Sequence, residues 1–228
     1  MSNNVQVLST ALLDQNMIEQ AIEKGIDIEV SSFINVSAIT DEQLQKEIAS
    51  LPQQLTVVFT SANAVRSVYS MIGHQPGWKI YCIGNATKNA VLEYADAGIS
   101  GTANDAAGLA EIIKRHRVSE VVFFCGDKRM DTLPLMLKKA GITIKEIVVY
   151  TTEETAKKVD KQYEGILFFS PSGVHSFFSA NKIPSHTILF AIGNTTAGAL
   201  KEYSNNQLVI AENPSKELLV QKVINYFS

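Results

Sequence analysis

The chain repeats itself, and that constrains its fold more than any single motif. Displaced by 109 residues, Val57-Val58-Phe59-Thr60-Ser61-Ala62-Asn63-Ala64-Val65 falls on Ile166-Leu167-Phe168-Phe169-Ser170-Pro171-Ser172-Gly173-Val174. The same displacement lays Ile83-Gly84-Asn85-Ala86-Thr87 on Ile192-Gly193-Asn194-Thr195-Thr196, Asn104 on Asn213 and Leu109 on Leu218, with no gap. A weaker match at 116 sets Val5–Leu8 on Val121–Phe124 and Gly25-Ile26 on Gly141-Ile142. Self-similarity at a fixed displacement signals two copies of one supersecondary plan. The order is a, b, a′, b′, and the two displacements are reconciled by an extra helix-like stretch, Asp41–Ala49, in the first copy. The lobes are either a–b and a′–b′ in sequence, or exchanged, with b and a′ in the middle and a with b′ closing the other.

Within each copy, short β-branched runs alternate with helical periodicity, the pattern of parallel sheets covered by helices. Strands are predicted at Val5–Leu8, Leu55–Thr60, Trp78–Ile83, Glu120–Cys125, Gly165–Phe169, Thr187–Ile192 and Leu208–Ala211. Helices are predicted at Asp14–Lys24, Asp41–Ala49, after Ser61-Ala62-Asn63 through Ile72, Asn85–Ala97, Asp105–His116, Met130–Ala140, Gly173–Ala180, Thr195–Tyr203 and Ser215–Tyr226. Gly25, Gly98 and Gly141 follow helices at the usual C-terminal stop.

Two extended runs, Ile26–Val36 and Ile142–Val159, are longer than one buried strand of about 5–6 residues. The second turns polar after Tyr150, as a segment leaving a lobe would. Two long crossings favour the exchanged arrangement. The expected fold is α/β, with two similar lobes, each a parallel sheet flanked by helices, joined by a two-stranded linker. The first lobe would comprise residues 1–36 and 155–228 and the second 37–154, with linker strands near 30–40 and 148–158.

Composition closes several functions. The 20 Lys+Arg against 23 Asp+Glu give −3, so no global positive field attracts nucleic acid. The start, Met1-Ser2-Asn3-Asn4-Val5-Gln6, lacks a basic and then apolar leader, and no run approaches the roughly 18 apolar residues of a membrane span. A cytoplasmic protein with no membrane partner is expected. Cys82 and Cys125 sit in apolar strand runs and read as buried free thiols. His74, His116, His175 and His186 show no metal-ligand spacing, so neither metal nor cofactor is expected.

In parallel α/β sheets, ligands collect where strand ends meet helix starts. Those places here read Thr60-Ser61-Ala62-Asn63, Gly84-Asn85-Ala86-Thr87, Gly126-Asp127-Lys128-Arg129, Ser170-Pro171-Ser172-Gly173 and Gly193-Asn194-Thr195-Thr196. Glycine lets a ligand approach the backbone, and free N–H groups at a helix start favour an anion. The same Ser, Thr and Asn are also ordinary helix caps. Candidate binding residues are Ser61, Asn63, Gly84, Asn85, Thr87, Lys128, Arg129, Ser170, Ser172, Gly173, Gly193, Thr195 and Thr196. Tyr150, ending a strand, is the candidate catalytic residue, able to donate a proton or a hydrogen bond to a leaving oxygen. No GxGxxG, GxxxxGK[ST] or GxSxG motif occurs.

Phe59–Val65, Ile83–Thr87, Val149-Tyr150-Thr151-Thr152, Phe169–Val174 and Ala191–Ala197, in this order and spacing, resemble uroporphyrinogen-III synthases from about Leu55 onward. The resemblance implies the exchanged two-lobe architecture and closure of hydroxymethylbilane to uroporphyrinogen III. The terminal pyrrole ring is inverted and water is lost, without metal or cofactor. It implies a monomer whose partner is a linear tetrapyrrole with eight carboxylates, handed over by the preceding enzyme of the pathway. The family's tyrosine falls on Tyr150, its threonines on Thr87, Thr195 and Thr196, and its strand-end serines on Ser61, Ser170 and Ser172. The chain departs from the family at Ser9-Thr10-Ala11-Leu12, where many members carry a Thr-Arg-Pro-like segment. The alternative is a two-lobe cytoplasmic protein that binds an anionic small molecule without catalysis.

Overall fold

The structure, a computed structural model, describes residues 4–72, 77–94 and 98–228, the side chain of Asn85 excepted. The predicted end of the fourth helix at Ala97, and His74, lie outside the described residues. In chain order the elements are β1 (Val5–Ser9), α1 (Gln15–Ile22), β2 (Ile26–Val30), β3 (Ile34–Ala38), α2 (Glu42–Ala49), β4 (Thr56–Phe59) and α3 (Ala62–Ile72). There follow β5 (Lys79–Ile83), α4 (Gly84–Tyr94), β6 (Gly101–Ala103), α5 (Ala106–Arg115), β7 (Glu120–Gly126), α6 (Thr132–Lys139) and β8 (Thr143–Glu154). The last are β9 (Gly165–Phe168), α7 (Pro171–Ala180), β10 (Ile188–Ala191), α8 (Asn194–Tyr203), β11 (Leu208–Ile210) and α9 (Lys216–Phe227).

Two compact units result, Met1–Asn35 with Glu153–Ser228, and Val36–Thr152. The first unit's sheet runs β2-β1-β9-β10-β11, with every neighbour pair parallel. The second unit's sheet runs β3-β8-β7-β4-β5-β6, parallel from β8 to β6. Under the displacements of 109 and 116, β4, β5 and β7 map onto β9, β10 and β1, so both sheets share one spatial order. The α/β architecture of two helix-flanked sheets read from the sequence is the one observed.

The chain crosses between units at Asn35–Val36 and Thr152–Glu153. Both crossings fall in the β3–β8 pair. Ile39 N–H donates to Val149 O at one end of it and Thr155 N–H to Phe33 O at the other, so these strands run antiparallel. The expected single run Ile26–Val36 is instead two strands. Ser31-Ser32-Phe33 breaks it, with Ser31 N–H held by Ser9 O and Ser32 Oγ donating to Ile34 O.

Each sheet buries both faces, as parallel sheets must. In the second unit, Val57, Phe59, Val122, Phe124, Ile147 and Val149 pack against α2, α3 and α4, while Val58, Val121, Phe123 and Cys125 pack against α5 and α6. In the first, Leu8, Ile166 and Phe168 face α7 and α8, while Val7, Leu167 and Phe190 face α1 and α9. Cys82 and Cys125 are free and buried, and burial raises each thiol to about 11.

Candidate functional site

Because β8, β7, β4 and β5 are parallel, their carboxyl ends lie at one end of the second unit's sheet. The helix-side connections reverse direction between β4 and β7, the switch point where such sheets leave a crevice for ligands. Ser61, Gly126 and Tyr150 converge there. Tyr150 is half-buried, its phenol hydrogen-bonded with the Ser61 hydroxyl. Gly126 pairs with Tyr150 across the ladder, and a Cβ at 126 would stand 2.8 Å from the phenol oxygen and closer still to the ring. Glycine is therefore required for the tyrosine to lie where it does.

Burial raises the Tyr150 phenol above its ordinary value, and Cys125 and Asp127 add to the rise while the Ser61 hydrogen bond opposes it. The group is a protonated donor throughout neutral pH. Ser61 also caps α3, its Oγ accepting from Asn63 N–H at 3.2 Å. Asp127 ties the loop down, with Oδ1 accepting from Lys128 N–H and Thr152 N–H, both at 2.9 Å.

Lys128 is exposed on this loop. The Arg129 guanidinium is paired with two carboxylates, Glu146 on β8 and Asp131. Its charge is neutralised locally by these two partners. On the neighbouring strand, Gly84 opens α4 with φ +70°, a conformation that favours glycine, and Thr87 lies buried in the first turn. Asn85 is placed in α4, its side chain outside the described residues.

The first unit builds the matching corner between β1 and β9. Ser170 Oγ caps α7 by accepting from Gly173 N–H at 3.1 Å, and Ser172 is half-buried beside it. Thr10, buried, donates its hydroxyl to Leu167 O at 2.7 Å. Gly193 caps α8 in extended backbone, with nothing within 4 Å of a Cβ there. Thr195 is exposed and Thr196 buried. The candidate residues thus form two sets, one at the carboxyl end of each sheet.

Sequence reasoning passed over Asp127 as an individual residue, and Ser9 and Thr10 as polar groups buried at the first switch point. Their position at the carboxyl ends of β7 and β1 was the available signal. Among the described residues no group of three or more His, Cys, Asp or Glu is placed to hold a metal, and no helix is long and apolar enough to cross a membrane. A cavity of about 290 Å³ lined by Tyr163, Phe177, Asn181 and Thr187 lies at the amino ends of β9 and β10, opposite the site loops.

A family model described as uroporphyrinogen-III synthase HemD matches residues 15–221. The uroporphyrinogen-III synthase of Saccharomyces cerevisiae is 27% identical over 175 residues, 64% of each chain, so the chain spans just under two thirds of that relative's length. The fold is similar to that of uroporphyrinogen-III synthetase from Helicobacter pylori, with a TM-score of 0.66 at 17% identity over 97% of this chain and 99% of that one. It is equally similar to a mutant uroporphyrinogen III synthase from Thermus thermophilus, with a TM-score of 0.66 at 13% identity over 98% of each chain.

Proposed function

The chain belongs to the uroporphyrinogen-III synthase family, and from that premise we propose that it closes hydroxymethylbilane to uroporphyrinogen III with inversion of the terminal ring and loss of water. One observation carries the reading furthest. A protonated phenol, Tyr150, is held by Ser61 over a glycine floor at the switch point of a parallel sheet. That is a proton donor of the kind a leaving hydroxyl needs.

In this reading the flexible bilane is folded so that its ends meet, an effect of proximity and orientation. Tyr150 gives its proton to the departing hydroxyl, which leaves as water, and the substrate becomes an electrophilic azafulvenium cation. The substituted carbon of the terminal ring attacks first, and the spiro intermediate rearranges before final closure. The proton released when the closed ring regains aromaticity restores the phenol. Carboxylates beside Tyr150 are met by main-chain N–H groups at the start of α3 and by Lys128 of the same unit. This reconciles an acidic chain with a polyanionic substrate.

The test is turnover of freshly generated hydroxymethylbilane. The account expects many molecules consumed per molecule of protein. Tyr150→Phe should lower kcat by about 100-fold, within the range of one general acid. Thr87→Ala should lose less, because Thr87 is buried in α4. Stoichiometric binding without consumption would establish a binding protein instead, and near wild-type turnover in both variants would remove side-chain acid catalysis.

A further inference from the structure

We propose that a bulge in β8, braced by the Asp127 carboxylate, is the device that aims Tyr150, which makes Asp127 a positioning residue. The claim rests on the role given to Tyr150 above. The ladder between β7 and β8 is regular until Cys125 pairs with Val148, and the next pair is Gly126 with Tyr150. Val149 is thus an extra residue on β8. A bulge of this kind bends its strand and redirects the side chain that follows.

The redirection is visible in the packing. Ile147 and Val149 pack with Val57, Phe59, Val122 and Phe124 on one face. Strict alternation would send Tyr150 to the opposite face, with Val121, Phe123 and Cys125. Tyr150 instead packs on the same face as Val149. There it overlies Gly126 and meets Ser61, which follows Phe59 on β4.

Asp127 holds the bulge in place. Its N–H donates to Tyr150 O at 3.2 Å, and its Oδ1 accepts from Thr152 N–H and Lys128 N–H. One residue therefore grips β8 at Tyr150 and two residues beyond it. The other copy differs in residue type at these places. Displaced by 116, Gly126, Asp127 and Tyr150 fall on Thr10, Ala11 and Ile34. There β1 and β2 pair in unbroken register from Val5–Ile26 to Ser9–Val30. That ladder ends at Ser9, the counterpart of Cys125, so carboxylate and phenol are what the first copy lacks at these places.

The experiment makes Asp127→Ala and Asp127→Asn, each with Tyr150 present and as Tyr150→Phe. Asp127→Ala should lower kcat by about 10- to 100-fold with little change in KM, the scale of a small misplacement. Asp127→Asn, whose amide oxygen still accepts, should recover most of it. In the Tyr150→Phe background Asp127→Ala should cost nothing more. An equal loss in both backgrounds would overturn the proposal. A second readout needs no turnover: the tyrosinate absorbance that Tyr150→Phe removes, followed against pH. Both Asp127 variants lose the charge, so the Tyr150 titration should move down in each, and further in Asp127→Ala because the grip is also lost. Identical titrations would overturn the proposal. If Tyr150→Phe turns over like wild type, the functional reading falls, and this titration alone decides the positioning claim.

Discussion

At the scale of single residues, equivalent glycines in the two copies answer to different needs. Gly84 has φ +70°, so Gly84→Ala should cost about 1 kcal/mol, read as a lowered Tm. Gly193 has φ −178° and open space where a Cβ would point. Gly193→Ala should leave Tm unchanged. A raised KM with that unchanged Tm is the signature of a backbone left bare for the substrate, and an unchanged KM would return Gly193 to a capping role. The two thiols give a pH prediction. Burial raises each from 9.0 to about 11, so the unfolded chain loses these protons first as pH rises. Stability should hold below pH 9 and fall from there to about pH 11. Cys82→Ala should flatten part of that fall in Tm measured against pH, and an undiminished slope would contradict it. That both cysteines are buried thiols was legible from their apolar strands. The capture of Arg129 by Glu146 was not, because that partner arrives from β8 through tertiary pairing.

At the scale of elements, caps and stops were the legible features. Asp41, Asp105, Ser170 and Ser215 each accept from a main-chain N–H in the first turn of the helix they open. Ser170 is both a cap and a candidate ligand, and substitution separates the roles. Ser170→Ala should cost about 1 kcal/mol, while Ser170→Asp should restore the cap and the Tm. If turnover also returns in Ser170→Asp, capping was its whole contribution. Continued loss with normal Tm assigns it to substrate. The strand β6 escaped sequence reading because it is three residues long and begins with glycine. Gly101 is there because a Cβ would come within 2.9 Å of Tyr81 and Ile112. The duplication also extends to packing that the sequence comparison overlooked. Tyr69 stacks on Tyr94 at 5.1 Å, and their equivalents Phe178 and Tyr203 stack at the same 5.1 Å. Each pair ties neighbouring helices on one face of its sheet, α3 to α4 and α7 to α8.

At the scale of the whole molecule, repetition made the architecture readable, while the residues proposed for the chemistry lie where the copies differ. Both sheets follow one strand order, yet at the displacement of 116 Gly126 and Asp127 fall on Thr10 and Ala11, and no tyrosine occurs in residues 26–38, the stretch that corresponds to β8. Motif spacing could place the loops at the strand ends, but it could not reveal the β8 bulge, which depends on pairing between distant segments. The unit Val36–Thr152 is continuous and buries core on both sheet faces. Expressed alone, it should give a cooperative thermal transition and dispersed amide resonances, and a non-cooperative melt would contradict its independence. The account's central claim is that the protein directs ring closure to the inverted product. Its most direct test supplies fresh hydroxymethylbilane to the full chain, oxidises the products and resolves type I from type III uroporphyrin. The account predicts type III in proportion to protein added. Type I alone, at the rate of a protein-free control, would contradict it.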